Sequence, residues 1–251
     1  MQKVIVLAGA KQSGKSTSAK FIHGHLMQQA NVIKSFRIDQ DNDLLITLPT
    51  GQECILDITR NDPEFVKFAA FNVWPYAKVY SFAEELKESC IRIFNLDPQC
   101  IYGSDDDKNQ PVPHIKWDNI SNVVDVEVFQ QIQHKLGECL THRELLQQFG
   151  TICRKFYSNC WIQATWSKIR EEGFPLAIVD DGRYEDEVDF INKEEGTYVI
   201  RLTKRPFKND NHASELIHKV AKAKFFAEVD NENLTIDEKN NELKTLLEKI
   251  L

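Results

Sequence analysis

The sequence predicts an α/β fold in which a mainly parallel sheet is flanked by helices. Short apolar runs at residues 4–8, 176–179 and 197–202 are typical of buried strands, and a helical pattern follows the first two. Strands that alternate with helices indicate a parallel sheet. Because ligands bind at the carboxyl ends of parallel strands, we expect the functional residues to follow these runs.

The first strand leads directly into a glycine-rich segment. Residues 9–16 read Gly-Ala-Lys-Gln-Ser-Gly-Lys-Ser, the G-x-x-x-x-G-K-S pattern of a phosphate-binding P-loop. The glycines allow a tight turn whose N–H groups point at a phosphate, and the following helix N-terminus adds positive potential. Lys15 should reach the β- and γ-phosphates of ATP, and the Ser16 hydroxyl should bind the accompanying Mg²⁺. We therefore predict a three-layer fold of the P-loop nucleoside-triphosphate-hydrolase type, with an ATP site formed by Lys11, Gln12, Ser13, Gly14, Lys15, Ser16 and Thr17.

Local patterns predict the elements as far as residue 94. Residues 44–56 contain two apolar runs around a Pro-Thr-Gly-Gln turn, which indicates a β-hairpin. Helical periodicity covers residues 63–71. A buried strand at residues 78–82 then runs into a helix that reaches about Phe94.

The middle of the chain is less regular. The triplet Asp105–Asp107 and nearby prolines indicate a loop, in which the acidic residues could bind a metal or face solvent. Residues 123–129 fit either a strand or the start of a helix. Thr141 and Glu144 have the spacing of a capping box, which predicts a helix start.

Residues after this helix start predict the rest of the fold. Gly150 is expected to end the helix, and Thr151 to cap a second helix that runs to about Glu172. Residues 234–236 are compatible with a last strand, and residues 238–251 with a last helix.

Four arginines favour phosphoryl transfer: Arg143 and Arg154 are expected on the two helices either side of Gly150, and Arg183 and Arg205 follow predicted strands. A P-loop alone leaves kinase, ATPase and GTPase open, but the guanine-reading N-K-x-D sequence is absent. Phosphoryl transfer needs positioning of two phosphates and cancellation of spread charge, and the planar fork of arginine suits both tasks. Each arginine could also form a surface ion pair. Together, the four arginines favour transfer to a phosphorylated acceptor over hydrolysis. They are Arg143, Arg154, Arg183 and Arg205.

Two further residues have alternative roles. Asp181, at the end of a predicted strand, could orient Mg²⁺ through water or hold the acceptor, whereas Asp180 faces the other side of the strand and is expected to be structural. Trp161, seven residues after Arg154, could stack on a base or pack in the core.

Composition limits the partners of the protein. The chain has 31 Lys and Arg residues against 38 Asp and Glu residues, a net charge of −7, which disfavours binding to a nucleic-acid backbone. No apolar run is long enough for a membrane span. The six cysteines lack metal-type spacing, so reduced thiols in a cytoplasmic protein are expected.

The assembled residues resemble the deoxynucleoside monophosphate kinases of tailed bacteriophages, a branch of the P-loop nucleotide kinases. The most specific shared pattern is R-x-L-L-Q-x-x-G-T at residues 143–151. Tyr184 departs from the phenylalanine expected after D-x-R, and the hairpin at residues 44–56 has no counterpart that we can map. Five segments carry the resemblance: residues 7–17, residues 81–87, residues 141–151 with Arg154 and Trp161, residues 181–183 with Glu187, and residues 199–201 with Arg205.

The resemblance implies roles for individual residues. The implied catalytic residues are Lys15, Arg143, Arg183 and Arg205. The implied metal ligands are Ser16 and Asp181. Arg205 would belong to a lid at about residues 203–218. The monophosphate would be held by Phe82, Lys87, Arg143, Gln147, Arg154, Trp161, Asp181 and Arg183.

The resemblance also implies the organisation and activity of the chain. We expect one kinase domain over residues 1–251, with a core at about 1–35, 76–96 and 141–251 and inserted regions at about 36–75 and 97–140. The expected reaction is ATP-dependent phosphorylation of deoxynucleoside monophosphates in the cytoplasm, that of the host if the protein is phage-encoded. Kinases of dephospho-coenzyme A or phosphomevalonate, and a non-catalytic ATP-dependent switch, are the alternatives. The sequence leaves open whether the protein is a monomer or a homodimer.

Overall fold

The computed structural model describes residues 2–60, 62–206 and 217–251 of the chain. Its helices and strands alternate over most of this length. In chain order they are β1 (Lys3–Ala8), α1 (Lys15–Gln29), β2 (Ser35–Ile38), β3 (Leu44–Thr47), β4 (Glu53–Ile55), α2 (Pro63–Asn72), β5 (Lys78–Tyr80), α3 (Phe82–Phe94), α4 (Pro98–Tyr102), α5 (Asp105–Lys108), β6 (Pro111–Lys116), α6 (Trp117–Ile120), α7 (Val126–Ile132), β7 (Cys139–Thr141), α8 (His142–Phe156), α9 (Cys160–Glu172), β8 (Leu176–Gly182), α10 (Glu185–Ile191), β9 (Thr197–Leu202), β10 (Ala227–Val229) and α11 (Ile236–Ile250).

The central sheet has the strand order β10-β9-β1-β8-β5, and every neighbouring pair is parallel. Its middle strand, β1, is buried from Val4 to Ala8, as expected for a strand covered on both faces. Because the strands are parallel, the residues that follow β1, β5, β8 and β9 leave the sheet at the same edge. The α/β class and the common edge are therefore confirmed.

Apolar stripes hold α1 and α11 against this sheet. Ile5 and Leu7 of β1 share a buried cluster with Ile22 of α1 and with Leu243 and Leu247 of α11. Leu243 and Leu247 are four residues apart, so one face of α11 points into the core. Burial of such side chains is the main favourable term in folding, at roughly 1.5–3 kcal/mol for each large apolar side chain.

The predicted hairpin at residues 44–56 is present and is part of a larger sheet. β3 pairs with β4, and β2 pairs antiparallel with the other edge of β3. Leu44 and Ile46 point into a separate apolar cluster that also contains Phe65 and Ala69 of α2. This small sheet consequently has its own core.

The contacts between Cα atoms divide the chain into two compact units. The first comprises Met1–Phe82 and Thr165–Leu251 and contains the central sheet, and the second comprises Ala83–Ala164. The second unit has a core of its own, which includes Cys90, Ile101 and Leu140. Among the described residues, no helix is both long and apolar enough to cross a membrane.

Four local expectations were wrong. Gly150 does not end a helix and Thr151 does not cap the next one, because α8 continues through both residues to Phe156 and α9 begins at Cys160. The triplet Asp105–Asp107 forms the first turn of α5, where Ser104 and Asp107 make a capping box, instead of a loop. Residues 234–236 are not the last strand: the last strand is β10, and Thr235 caps α11 together with Glu238.

Candidate active site

The segment between β1 and α1 has the tight backbone that its glycines suggested. A β-carbon on Gly9 would lie 2.5 Å from Ser13 Oγ and 2.9 Å from the Leu202 carbonyl oxygen, so a side chain does not fit there. Gln12 (φ 57°) and Gly14 (φ 93°) both take left-handed backbone conformations. For a residue with a side chain such as Gln12 this is an uncommon conformation, and such residues cluster at functional loops.

Lys15 is the first residue of α1 and is buried despite its charge. Its Nζ atom donates hydrogen bonds to the carbonyl oxygens of Gly9 (2.8 Å) and Ala10 (2.7 Å). The ammonium group therefore lies over the backbone of its own loop. Ser16, the next residue, is exposed. An ammonium group and a hydroxyl at a helix N-terminus are suited to a phosphate and its cation.

The other predicted ATP-binding residues differ in their surroundings. Lys11 and Gln12 are exposed, whereas Ser13 is completely buried. Thr17 Oγ1 donates a hydrogen bond to Asn42 Oδ1 at 2.7 Å. Thr17 thus also ties the first turn of α1 to the turn before β3.

Asp181 connects the ends of the neighbouring strands β8 and β5. Its Oδ2 atom accepts a hydrogen bond from Ser81 Oγ (2.6 Å), and its Oδ1 atom accepts one from the Phe82 N–H (2.8 Å). The Phe82 side chain is buried. The carboxylate that we predicted to act on Mg²⁺ or on the acceptor therefore also holds the turn that begins α3.

Glu187 holds the backbone that carries Arg183. Its Oε2 atom accepts hydrogen bonds from the N–H groups of Arg183 (2.7 Å) and Tyr184 (2.9 Å), at the start of α10. Glu187 is buried, so these bonds are shielded from water. Arg183 is consequently attached to a well-defined turn directly after β8.

Asn231, which the sequence analysis did not select, joins two parts of this sheet edge. Its Nδ2 atom donates to the Ser13 carbonyl oxygen (2.7 Å), and its Oδ1 atom accepts from the Lys204 N–H (2.9 Å). An asparagine after a short strand is an ordinary turn residue, so the sequence offers little signal for this role. Arg205 follows Lys204, and residues 207–216 of the predicted lid lie outside the described residues.

Burial affects the charge of one lysine in the first unit. Lys239 on α11 is buried, and burial together with the positive charge of Lys204 lowers its pKa to about 8. A buried ammonium group is disfavoured because it loses its hydration. Lys239 therefore loses its proton more easily than an exposed lysine does.

In the second unit, α8 carries three of the predicted monophosphate-binding residues. Arg143, Gln147 and Arg154 are separated by four and seven residues, which places them along one face of the helix. We expected Arg143 and Arg154 on different helices. The structure corrects this expectation, because α8 continues through Gly150.

The guanidinium of Arg143 already has partners within the second unit. Its NH2 atom donates to Asp105 Oδ1 at 2.6 Å, and its Nε atom donates to Asn109 Oδ1 at 3.1 Å. Asp105 belongs to α5, within the region that we predicted as an insertion. A phosphate that binds Arg143 must therefore compete with the Asp105 carboxylate.

Lys87 and Trp161 are both partly buried in the second unit. Lys87 Nζ lies 3.8 Å from Glu84 Oε2 and 5.0 Å from the centre of the Tyr102 ring. Trp161 Nε1 donates to the Gly150 carbonyl oxygen at 3.3 Å. The indole is therefore held in place by α8 and is neither fully in the core nor fully exposed.

A protein-built metal cage is absent from the described residues, in which no group of three or more His, Cys, Asp or Glu side chains could hold an ion. Mg²⁺ that accompanies a nucleotide does not need such a cage, since it keeps several waters and phosphate oxygens as ligands. The exposed hydroxyl of Ser16 and the carboxylate of Asp181 are oxygen donors of the required type. These residues therefore fit such an ion.

The cysteines are all free thiols. Burial is the main cause that raises the pKa of Cys90 to about 12, and burial also raises the pKa of Cys153 and Cys160. A raised pKa keeps a thiol in its unreactive protonated form. None of these three cysteines has the properties of a nucleophile.

Comparison with known proteins indicates a likeness to nucleotide kinases. No protein-family model matches the chain. A protein of Acanthamoeba polyphaga mimivirus named "Putative deoxynucleotide monophosphate kinase" is 26% identical to the chain over 150 residues. The match covers 54% of this chain and 66% of the relative, so the chain spans slightly less than two thirds of the relative's length. This distant match supports a kinase-like family.

Proposed function

We propose that the protein is an ATP-dependent kinase that phosphorylates deoxynucleoside 5′-monophosphates to diphosphates and so supplies DNA precursors. One observation carries the proposal: the P-loop sequence lies between β1 and α1, at the edge where the ends of β5, β8 and β9 also lie. The likeness to the mimivirus protein supports the kinase class. The acceptor and the direction of transfer are part of the proposal.

In this reaction the chain itself positions ATP and cancels charge. The N–H groups of residues 9–16 and the Lys15 ammonium bind the phosphates, and Lys15 exchanges its bonds to Gly9 and Ala10 for bonds to phosphate oxygens. Arg183 and Arg205 neutralise charge that spreads over the transferred phosphoryl group. Ser16 and Asp181 would hold Mg²⁺ bound with ATP, and the ion would supply Lewis-acid stabilisation of the same charge.

We assign acceptor binding to the residues that the resemblance implies. Phe82 and Arg183 lie at the ends of β5 and β8, and Arg143, Gln147 and Arg154 lie along one face of α8. Arginine binds the dianionic phosphate through paired hydrogen bonds. Trp161 offers an aromatic face for the base, and Lys87 adds a further positive charge.

The test is acceptor-dependent formation of ADP by the purified chain with Mg²⁺ and ATP. Each deoxynucleoside monophosphate, each ribonucleoside monophosphate, dephospho-coenzyme A and phosphomevalonate is supplied separately. We expect one ADP for each diphosphate formed with deoxynucleoside monophosphates, and no transfer to dephospho-coenzyme A or phosphomevalonate. Stoichiometric transfer to one of the other acceptors would replace the proposed substrate, and slow acceptor-independent ADP release would indicate a switch instead of a kinase.

A further inference from the structure

Asn231 lies at the junction of two backbone segments that the proposed reaction uses. Ser13, which accepts its Nδ2–H, belongs to the P-loop sequence, and Lys204, which donates to its Oδ1, immediately precedes Arg205. Asn231 itself follows β10, and its own N–H bonds to the Val229 carbonyl oxygen at 2.9 Å. One side chain therefore bridges the segments after β1 and after β9.

The orientation of the Asn231 amide is determined by its partners. A carbonyl oxygen can only accept and a backbone N–H can only donate, so the NH₂ group must face Ser13 and the amide oxygen must face Lys204. Asn231 is almost completely buried, with 8% of the residue exposed, so water cannot easily replace either bond. Its Nδ2 atom also lies only 3.6 Å from where a β-carbon of Gly14 would be.

The bridge controls atoms whose positions matter for catalysis. Ser13 and Gly14 are adjacent to Lys15, so a shift of their backbone moves the N–H groups and the ammonium that bind phosphate. A misplacement of about 1 Å can cost about 100-fold in rate, even when it starts away from the reacting atoms. The second bond restrains Lys204 and hence the start of the segment that carries Arg205.

We propose that Asn231 is a positioning residue that sets the P-loop backbone for the nucleotide and links it to the Lys204–Arg205 segment. The inference rests on the proposed function only in that the nucleotide is ATP. Neither the sequence motif nor the likeness to the mimivirus protein assigns a role to this residue. The role is indirect, since Asn231 acts through Ser13 and Lys204.

Two Asn231 variants and one matched control test the inference. Asn231→Asp has the same shape and keeps the acceptor for Lys204, but it replaces the donor to Ser13 by an oxygen. Asn231→Ser is too short to keep either bond and serves if the aspartate variant does not fold. Asp230→Ala is the control, because it removes the hydrogen bond from Thr203 Oγ1 to Asp230 Oδ1 (2.9 Å) at the same corner and leaves both Asn231 bonds in place.

The main measurement is the Kd for a fluorescent ATP analogue with Mg²⁺, in the absence of any acceptor. We expect Asn231→Asp to raise this Kd about tenfold, the effect of one buried hydrogen bond and its geometry. Asp230→Ala should change it less than about twofold. Steady-state kinetics should show a higher KM for ATP and a lower kcat, with the KM for the acceptor nearly unchanged. Thermal unfolding of each variant is measured in parallel.

The results separate the two proposals. An Asn231 variant that loses thermal stability but binds the analogue as the wild type does would overturn the positioning role. An equal loss of affinity in Asp230→Ala would also overturn it, because the effect would then belong to the whole corner. If the wild type binds the analogue but makes no acceptor-dependent ADP, the proposed function fails, and weaker binding by Asn231→Asp still supports the inference.

Discussion

Asp105→Asn tests whether the acceptor phosphate competes for Arg143. The Asp105 carboxylate lies 2.6 Å from the Arg143 guanidinium, and Asn109 accepts a second hydrogen bond from it. The substitution keeps the shape of the side chain and removes its charge. A dianionic phosphate at Arg143 would then no longer face a neighbouring carboxylate. We expect tighter acceptor binding and a nearly unchanged kcat.

The size of the effect follows from the exposure of the pair. The Asp105 side chain is 85% exposed and that of Arg143 is 36% exposed, so solvent and salt screen their attraction. Such pairs contribute about 0.2–1 kcal/mol. The KM for the deoxynucleoside monophosphate should therefore fall by about 1.4-fold to fivefold. The difference should shrink as salt is added to the initial-rate assay.

Asp106→Asn is the matched control, because it makes the same charge change one residue away on α5. It should leave the KM for the acceptor within experimental error of the wild-type value. A rise in this KM for Asp105→Asn would refute the competition, and would mean that Asp105 orients Arg143 for the phosphate. An equal fall of the KM for the acceptor in both variants would show that the effect comes from the general charge of α5 and not from the Asp105–Arg143 pair.

Four further outcomes are expected. Lys15→Ala should abolish phosphoryl transfer with the circular-dichroism spectrum unchanged; near wild-type turnover would contradict the P-loop assignment. Arg183→Ala should lower kcat/KM about 1000-fold, as for an arginine that acts on the transferred group, and a change below about threefold would make it an ion-pair residue. Arg205→Ala should lower kcat more than it raises the KM for ATP. In the wild type, amides of residues 203–214 should exchange hydrogen more slowly when an ATP analogue and dNMP bind together. Unchanged exchange would argue against the lid. Burial lowers the pKa of His23 from 6.5 to about 4. Between these two values the unfolded chain binds a proton that the folded protein does not, so the free energy of unfolding is highest above pH 6.5 and falls as the pH drops towards 4. Urea unfolding at pH 5 should show about 2 kcal/mol less stability than at pH 7, and His23→Leu should remove most of that difference.

Several elements could be predicted because their signals are local. β9 occupies residues 197–202 as its apolar run indicated, and the capping box at Thr141 and Glu144 begins α8. The backbone of residues 9–16 follows from two glycines and the adjoining strand and helix. Such signals act between neighbours in the chain, so the order of residues is sufficient to determine them.

Gly150 shows where local signals fail. A glycine after an apolar run commonly ends a helix, yet α8 continues for six residues beyond it to Phe156. The reason lies elsewhere in the second unit: a β-carbon on Gly150 would be 2.9 Å from Leu86 Cδ2, and its carbonyl oxygen accepts from Trp161. Close packing against distant residues, and not a turn, requires the glycine here.

The sequence alone determined the α/β class, the glycine-rich turn between β1 and α1 and the sheet edge at which the strands end, because periodicity and glycine spacing are properties of short stretches. Only the tertiary structure decided what the polar side chains touch: Arg143 meets Asp105, and Asn231 joins Ser13 to Lys204. The bond from Asn231 to Ser13 spans 218 residues of chain. A hydrogen bond needs its two atoms within about 3 Å of each other, and across such a separation only the folded backbone sets that distance.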